Sequence, residues 1–162
     1  MPSAIAAEVE QSIRRAEYIE IFHDPGHADL PAHLKGADIL VIAESFDQEV
    51  VDGYGLSISS KAHLFMFSER PILIYAPATT GLARYATEEG WAEVVCSRDP
   101  SRLSCVIKGI LSSPERQQAL IQQARRIGEA NHDATANRAL FAENLSGKRS
   151  EAGGVNASVR KQ

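Results

Sequence analysis

Four side chains set close together, Ser57, Ser59, Ser60 and Lys61, have the chemistry to hold an anion. The hydroxyls offer hydrogen bonds and the ammonium offers a point charge. Residues 60–68 read as a helix, so the group falls at its start. There the backbone N–H groups lack intrahelical partners and the helix dipole favours negative charge. A diphosphate is the kind of anion such a place suits. The plain alternative is that Ser59 or Ser60 is only an N-cap and Lys61 a solvated charge.

A second group is His23, Asp24 and His27, with His33 beyond, around the turn residues Pro25 and Gly26. Imidazole and carboxylate are metal ligands. The spacing His23-x3-His27 would suit a helix, but Pro25-Gly26 forbids one between them. No metal site is expected, and a plain polar turn accounts for these residues. A third group, Glu44, Ser45, Phe46 and Asp47, follows the most apolar run of the chain. Glu44 and Asp47 are the carboxylates placed for acid–base work, but ordinary loop solvation is the favoured account of them. His132-Asp133 marks a helix start with Asp133 as N-cap. There is no nucleophile elbow, no GxGxxG and no P-loop.

The elements that must position these groups alternate. Ile5, Val9, Ile13 and Ala16 have helical spacing over 5–17. Tyr18–Phe22 alternates like a strand, and 28–36 holds a short helix ending near Gly36. Asp38–Ala43 is apolar on both faces, the sign of a strand covered by helices on each side. Residues 44–58 read as a long loop with Gly53 and Gly55, a length often tied to function. After the 60–68 helix come a strand over 71–76, a helix over 80–90 closed by Gly90, and a strand over 92–96. Helices then run over 101–112, 115–130 and 134–145. Ala62, Leu64, Phe65, Met66 and Phe67 make the 60–68 helix apolar nearly all round, so they are expected in the core.

Four short apolar strands between helices predict a parallel sheet in a doubly wound α/β fold. Residues 1–145 form the domain, and 146–162 form a Gly/Ser/Asn-rich tail expected to be disordered. The chain starts on a helix. The opening strand and first phosphate loop of a doubly wound fold are therefore expected to be missing. Sheet neighbours left unpaired would favour a homo-oligomer.

Composition narrows the partners. The 162 residues are 44% hydrophobic and 23% charged, ordinary for a globular domain. The net charge is −4, and residues 146–162 carry four bases against one acid, so the other 145 residues sum to −7. An acidic body is a poor general nucleic-acid binder, and no nucleic-acid partner is expected. No apolar run approaches a membrane span, and no secretory signal is visible, so a cytoplasmic location is expected. Cys96 and Cys105 have neither metal-site nor disulfide-framework spacing and are expected as reduced packing residues.

The series Ala37-Asp38-Ile39-Leu40-Val41-Ile42, Leu56-Ser57-Ile58-Ser59-Ser60-Lys61 and Arg70-Pro71-Ile72-Leu73-Ile74-Tyr75 carries a family resemblance. So do Asp99-Pro100, Ser113-Pro114-Glu115-Arg116, Ala124-Arg125-Arg126 and His132-Asp133 ahead of Phe141. Over roughly residues 15–145 the chain resembles the C-terminal, nucleotide-sugar-binding half of GT-B glycosyltransferases of the group-1 branch.

The resemblance implies a Rossmann-like donor domain whose diphosphate lies at Ser57, Ser59, Ser60 and Lys61. It places His23 or His27, and Glu44 and Ser45, near the nucleotide, and it implies no cofactor or metal beyond the nucleotide sugar as substrate. The chain departs from the family where retaining members carry two glutamates in an E-x7-E pattern. Those positions are Leu56 and Leu64, so no catalytic residue is carried over. The glycine before the next strand is Glu69. The acceptor domain is not in this sequence, so glycosyl transfer is expected only with such a partner. The competing expectations are a degenerate, non-catalytic interaction module of the same fold and a flavodoxin-like or receiver-like signalling domain. Against the last, no early acidic pair follows a first strand.

Overall fold

The structure, a computed structural model, describes residues 18–19, 26 and 29–145. The chain divides into two units, Met1–Gly36 and Ala37–Gln162. In the first unit, helix α1 (Leu30–Gly36) ends at the glycine that the sequence suggests, and none of its residues is buried. Its first turn is prepared by the Gly26 carbonyl, which accepts the Asp29 N–H at 2.9 Å. Tyr18 and Ile19 are exposed and stand in no strand. The expected 5–17 helix, the rest of the 18–22 strand, and His23, Asp24 and His27 lie outside the described residues. So does the 146–162 tail.

The second unit runs β1 (Leu40–Ala43), α2 (Gln48–Tyr54), α3 (Lys61–Met66), β2 (Ile72–Tyr75), α4 (Gly81–Glu89), β3 (Glu93–Val95), α5 (Pro100–Leu111), α6 (Pro114–Asn131) and α7 (Ala134–Leu145). Among the described residues the sheet has three strands in the order β1-β2-β3, all parallel. Leu40 faces Ile72, Ile42 faces Ile74, and Leu73 faces Glu93 in the register. Parallel neighbours need crossovers, and helices supply them.

Strand alternation sends side chains to two separate cores. On one face Ile42, Ile72 and Ile74 pack with Ala62 and Met66 of α3, Leu82 and Ala86 of α4, and Ala124 and Ile127 of α6. On the other, Leu73 and Val95 pack with Val106 and Ile110 of α5 and Leu120 of α6. Helices thus cover both faces of β2, which is why Ile72, Leu73 and Ile74 are all fully buried. β1 differs from its sequence reading. Ile42 is buried, but Val41 on the opposite face is 49% exposed, left open by the described helices.

Three further expectations are corrected. Residues 44–58 are not one long loop, since α2 occupies its middle. The 60–68 helix is only Lys61–Met66, and it buries Ala62 and Met66 alone. One face of so short a helix meets the sheet, so Leu64 and Phe67 are exposed rather than core. Cys96 and Cys105 are exposed and not packing residues. The α5 stripe is carried by Val106 and Ile110, backed by Leu103 and Ile107, and Cys105 falls off it.

The helix boundaries follow local chemistry. Asp99, Ser113 and Thr80 accept the N–H groups of Ser101, Arg116 and Ala83 and so cap α5, α6 and α4. Pro100 and Pro114 open α5 and α6 where a missing N–H costs nothing. Gly90 closes α4 in the left-handed conformation at φ 66°, as glycine does without a Cβ clash.

Candidate functional site

Parallel α/β sheets bind ligands beyond the carboxyl ends of their strands. At that end of β1 and β2 lies a pocket of about 220 Å³. Its polar lining is Glu44, Ser45, Ser57 and Thr80, and its apolar wall is Val50, Val51 and Tyr54 of α2. Among the expected site residues, the fold therefore brings Glu44, Ser45 and Ser57 together from opposite ends of the 44–58 segment.

Each wall is held by identifiable bonds. Glu44 continues the sheet, its N–H donating to the Tyr75 carbonyl at 2.9 Å. The next residues turn. The Asp47 N–H donates to Ser45 Oγ at 3.0 Å, and Asp47 Oδ1 accepts the Glu49 N–H at 3.0 Å. Asp47 is thus the N-cap of α2, with backbone φ −73° and ψ 127°, and its carboxylate is engaged in that role. Phe46 packs on Tyr75 at 4.9 Å between ring centroids, with the Arg98 guanidinium 6.0 Å over its ring. That stack anchors the loop and leaves Glu44 and Ser45 to the pocket.

The far wall is a backbone strap. The Gly81 N–H donates to the Gly55 carbonyl at 2.5 Å. Ser57 donates both its N–H, at 2.9 Å, and its hydroxyl, at 2.6 Å, to the Tyr54 carbonyl. A Cβ on Gly81 would stand 2.8 Å from the Leu56 carbonyl oxygen, so glycine is required for the strap to approach α4. Thr80, 2% exposed, accepts the Ala83 N–H at 3.3 Å. The first amides of α4 are consequently spent inside the chain.

Ser59, Ser60 and Lys61 follow the strap. The Lys61 N–H points at Ser59 Oγ at 3.4 Å, and the Ala62 N–H donates to the Ser59 carbonyl at 3.0 Å. Ser60 is the N-cap residue of α3 but its side chain makes no capping bond. Ser59 is half-buried, while Ser57, Ser60 and Lys61 are exposed. A six-residue helix has little dipole, so any anion here would be held by hydroxyls and the Lys61 charge. Leu56 and Leu64, which stand where the resembled family carries acids, are exposed.

His132 does not belong to this pocket's lining. It ends α6, half-buried, with Nε2 3.0 Å from the Tyr85 hydroxyl. The Asn131 amide donates to that same hydroxyl at 3.1 Å. Burial, and secondarily His63, holds His132 below the usual imidazole value. Asp133 then caps α7, accepting the N–H groups of Thr135 and Ala136 at 2.7 and 3.1 Å, as its sequence position suggests.

Thr80, Val50, Val51, Tyr54 and Gly55 escape the sequence reading of the site. Signals for them exist. Asp47 ahead of Val50, Val51 and Tyr54 is an N-cap before helical spacing, and Thr80 before Gly81 and Leu82 is another. Among the described residues no group of three His, Cys, Asp or Glu side chains could hold a metal ion, and no helix is long and apolar enough to cross a membrane. No protein-family model matches the chain, and no curated protein matches it.

Proposed function

We propose that this chain binds a nucleotide-diphosphate sugar at the carboxyl end of its sheet and acts in glycosyl transfer only with an acceptor domain that this sequence does not contain. The observation that carries the reading is the pocket itself, where Glu44, Ser45 and Ser57 converge beyond β1 and β2, with Ser59, Ser60 and Lys61 directly following. Ligand position in open parallel sheets supports it, and so does the resemblance of the 37–75 segment to GT-B donor domains. In such a reaction the leaving diphosphate gathers charge that must be stabilised. Lys61 and the serine hydroxyls would do that here.

A second reading is a non-catalytic interaction module of the same fold. It is favoured by Asp47 being committed to its capping bond and by the Gly81 and Ala83 amides at the start of α4 being taken up by the Gly55 carbonyl and the Thr80 hydroxyl. Calorimetric titration with UDP, GDP, uridine and guanosine separates the two. The donor reading expects a diphosphate to bind and its nucleoside to bind poorly. Absence of binding by both diphosphates, in a protein whose circular dichroism shows the α/β fold, leaves the module reading.

A further inference from the structure

The pocket is too small for a whole nucleotide sugar. Its 220 Å³ lies below the range of about 300–1,000 Å³ usual for complete small-molecule sites. It has room for a single ring, and its lining says which kind. Among the described residues of its lining, Glu44 and Tyr54 are the ionisable ones, and none is a cation. The Glu44 carboxylate is half-buried and has no side-chain partner among the described residues. An ionised carboxylate only accepts hydrogen bonds, so it calls for a donor such as a ring hydroxyl. Ser45, Ser57 and Thr80 add hydroxyls, each already in one bond: Thr80 and Ser45 accept the Ala83 and Asp47 N–H groups and keep a proton to donate, whereas Ser57 donates to the Tyr54 carbonyl and keeps its oxygen to accept. Tyr54 and the two valines give an apolar wall suited to the C–H face of a ring. A phosphate or a second carboxylate placed here would meet Glu44 at short range, with no cation among the described lining residues to neutralise it, and like charges there repel strongly.

We infer that the pocket seats the uncharged, hydroxyl-bearing glycosyl ring of the donor and that Glu44 rejects a ring carrying a carboxylate. This rests on the donor reading above. The Glu44 carboxylate accepts from ring hydroxyls, and the diphosphate extends outward toward Lys61. Glu44 is then a specificity-determining residue rather than a catalytic acid.

The test is calorimetric titration at fixed salt with matched pairs, UDP-glucose against UDP-glucuronate and GDP-mannose against GDP-mannuronate, together with UDP and GDP. Wild type should bind the uncharged member of the pair whose diphosphate it accepts about tenfold or more tightly, or about 1.4 kcal/mol. Glu44→Gln keeps the size and removes the charge, and it should bring the two members to comparable affinity. Equal binding of the two donors by wild type overturns the inference without using the variant. Discrimination that persists in Glu44→Gln overturns it as well. In both cases retained UDP or GDP affinity leaves the donor reading standing. Loss of UDP and GDP binding in wild type removes the donor reading and the inference with it.

Discussion

Glu69 shows how one residue can be set against its own backbone. It sits at φ 59°, the left-handed region where non-glycine residues are uncommon, and it is the residue that stands for glycine in the resembled pattern. A Cβ there costs about 1–2 kcal/mol. The side chain returns little, for its contact with Arg125 is 3.7 Å and solvent-exposed on both sides. Against that, glycine adds about 0.5–1 kcal/mol of unfolded-state entropy. Glu69→Gly should therefore raise stability by about 0.5–1 kcal/mol in urea titrations, and Glu69→Val should lower it, since branching at Cβ worsens the clash. A destabilised glycine variant would show that the Arg125 pairing matters more than the strain. Lys61 is the opposite case, an exposed charge with no structural task. Hydrogen bonds to charged groups contribute about 1.5–3 kcal/mol, so Lys61→Ala should weaken UDP or GDP binding about ten- to hundredfold with stability nearly unchanged. Equal diphosphate affinity in both proteins would take Lys61 out of the site.

At the scale of elements, the joint between α6 and α7 carries a pH dependence. His132 is held neutral against Tyr85, its folded-state value lying below that of the unfolded chain. The unfolded state then binds more protons in the window between those two values, so stability rises with pH there. The contribution is complete above about 6.5, the unfolded imidazole value, and is lost as pH falls through the lower folded value. Urea midpoints measured from pH 7.5 to 5 should decline below about 6.5, and His132→Gln should flatten that part of the profile. A profile that His132→Gln leaves unchanged would assign the decline to other groups. The strap is the other element with a single weak point. Gly81→Ala puts a methyl 2.8 Å from the Leu56 carbonyl, which backbone must yield to accommodate. It should cost about 1–3 kcal/mol, as overpacking does. It should also raise amide exchange over 54–57, because the Gly55–Gly81 bond lengthens.

At the scale of the whole molecule, what could be read from sequence divides by how far each signal reaches. The runs at 39–43 and 71–76 are continuous and apolar, the run at 92–96 is broken only by Glu93, and each contains the strand it suggests. Glu44 and Ser45 stand where the rule for parallel sheets puts ligand residues, at the carboxyl end of β1, but Ser57 reaches them only through the strap that the Gly81–Gly55 hydrogen bond holds, which no local pattern announces. Helix α2 was hidden because its apolar residues are few and Gly53 and Gly55 look like loop. The bare face of β1 was hidden for another reason. Val41 sits inside an apolar run, and no local pattern says which helices reach over it. That face has a consequence for assembly. Among the described residues β1 pairs only with β2, Val41 is 49% exposed, and Ala43 beside it is exposed too. An apolar strand face open to solvent is a surface that another chain can cover. The protein is therefore expected to run as a dimer or larger species in light scattering, with a concentration-dependent mass. Val41→Lys places a charge on the exposed face and should shift the population to monomer. Its folding stability should change by no more than about 0.5 kcal/mol, as for other exposed positions. A monomeric mass for wild type at high concentration would show that the edge is protected. Retained association in Val41→Lys would move the contact away from β1, leaving the exposed rim of Tyr54, Leu56 and Ile58 as the surface to substitute next.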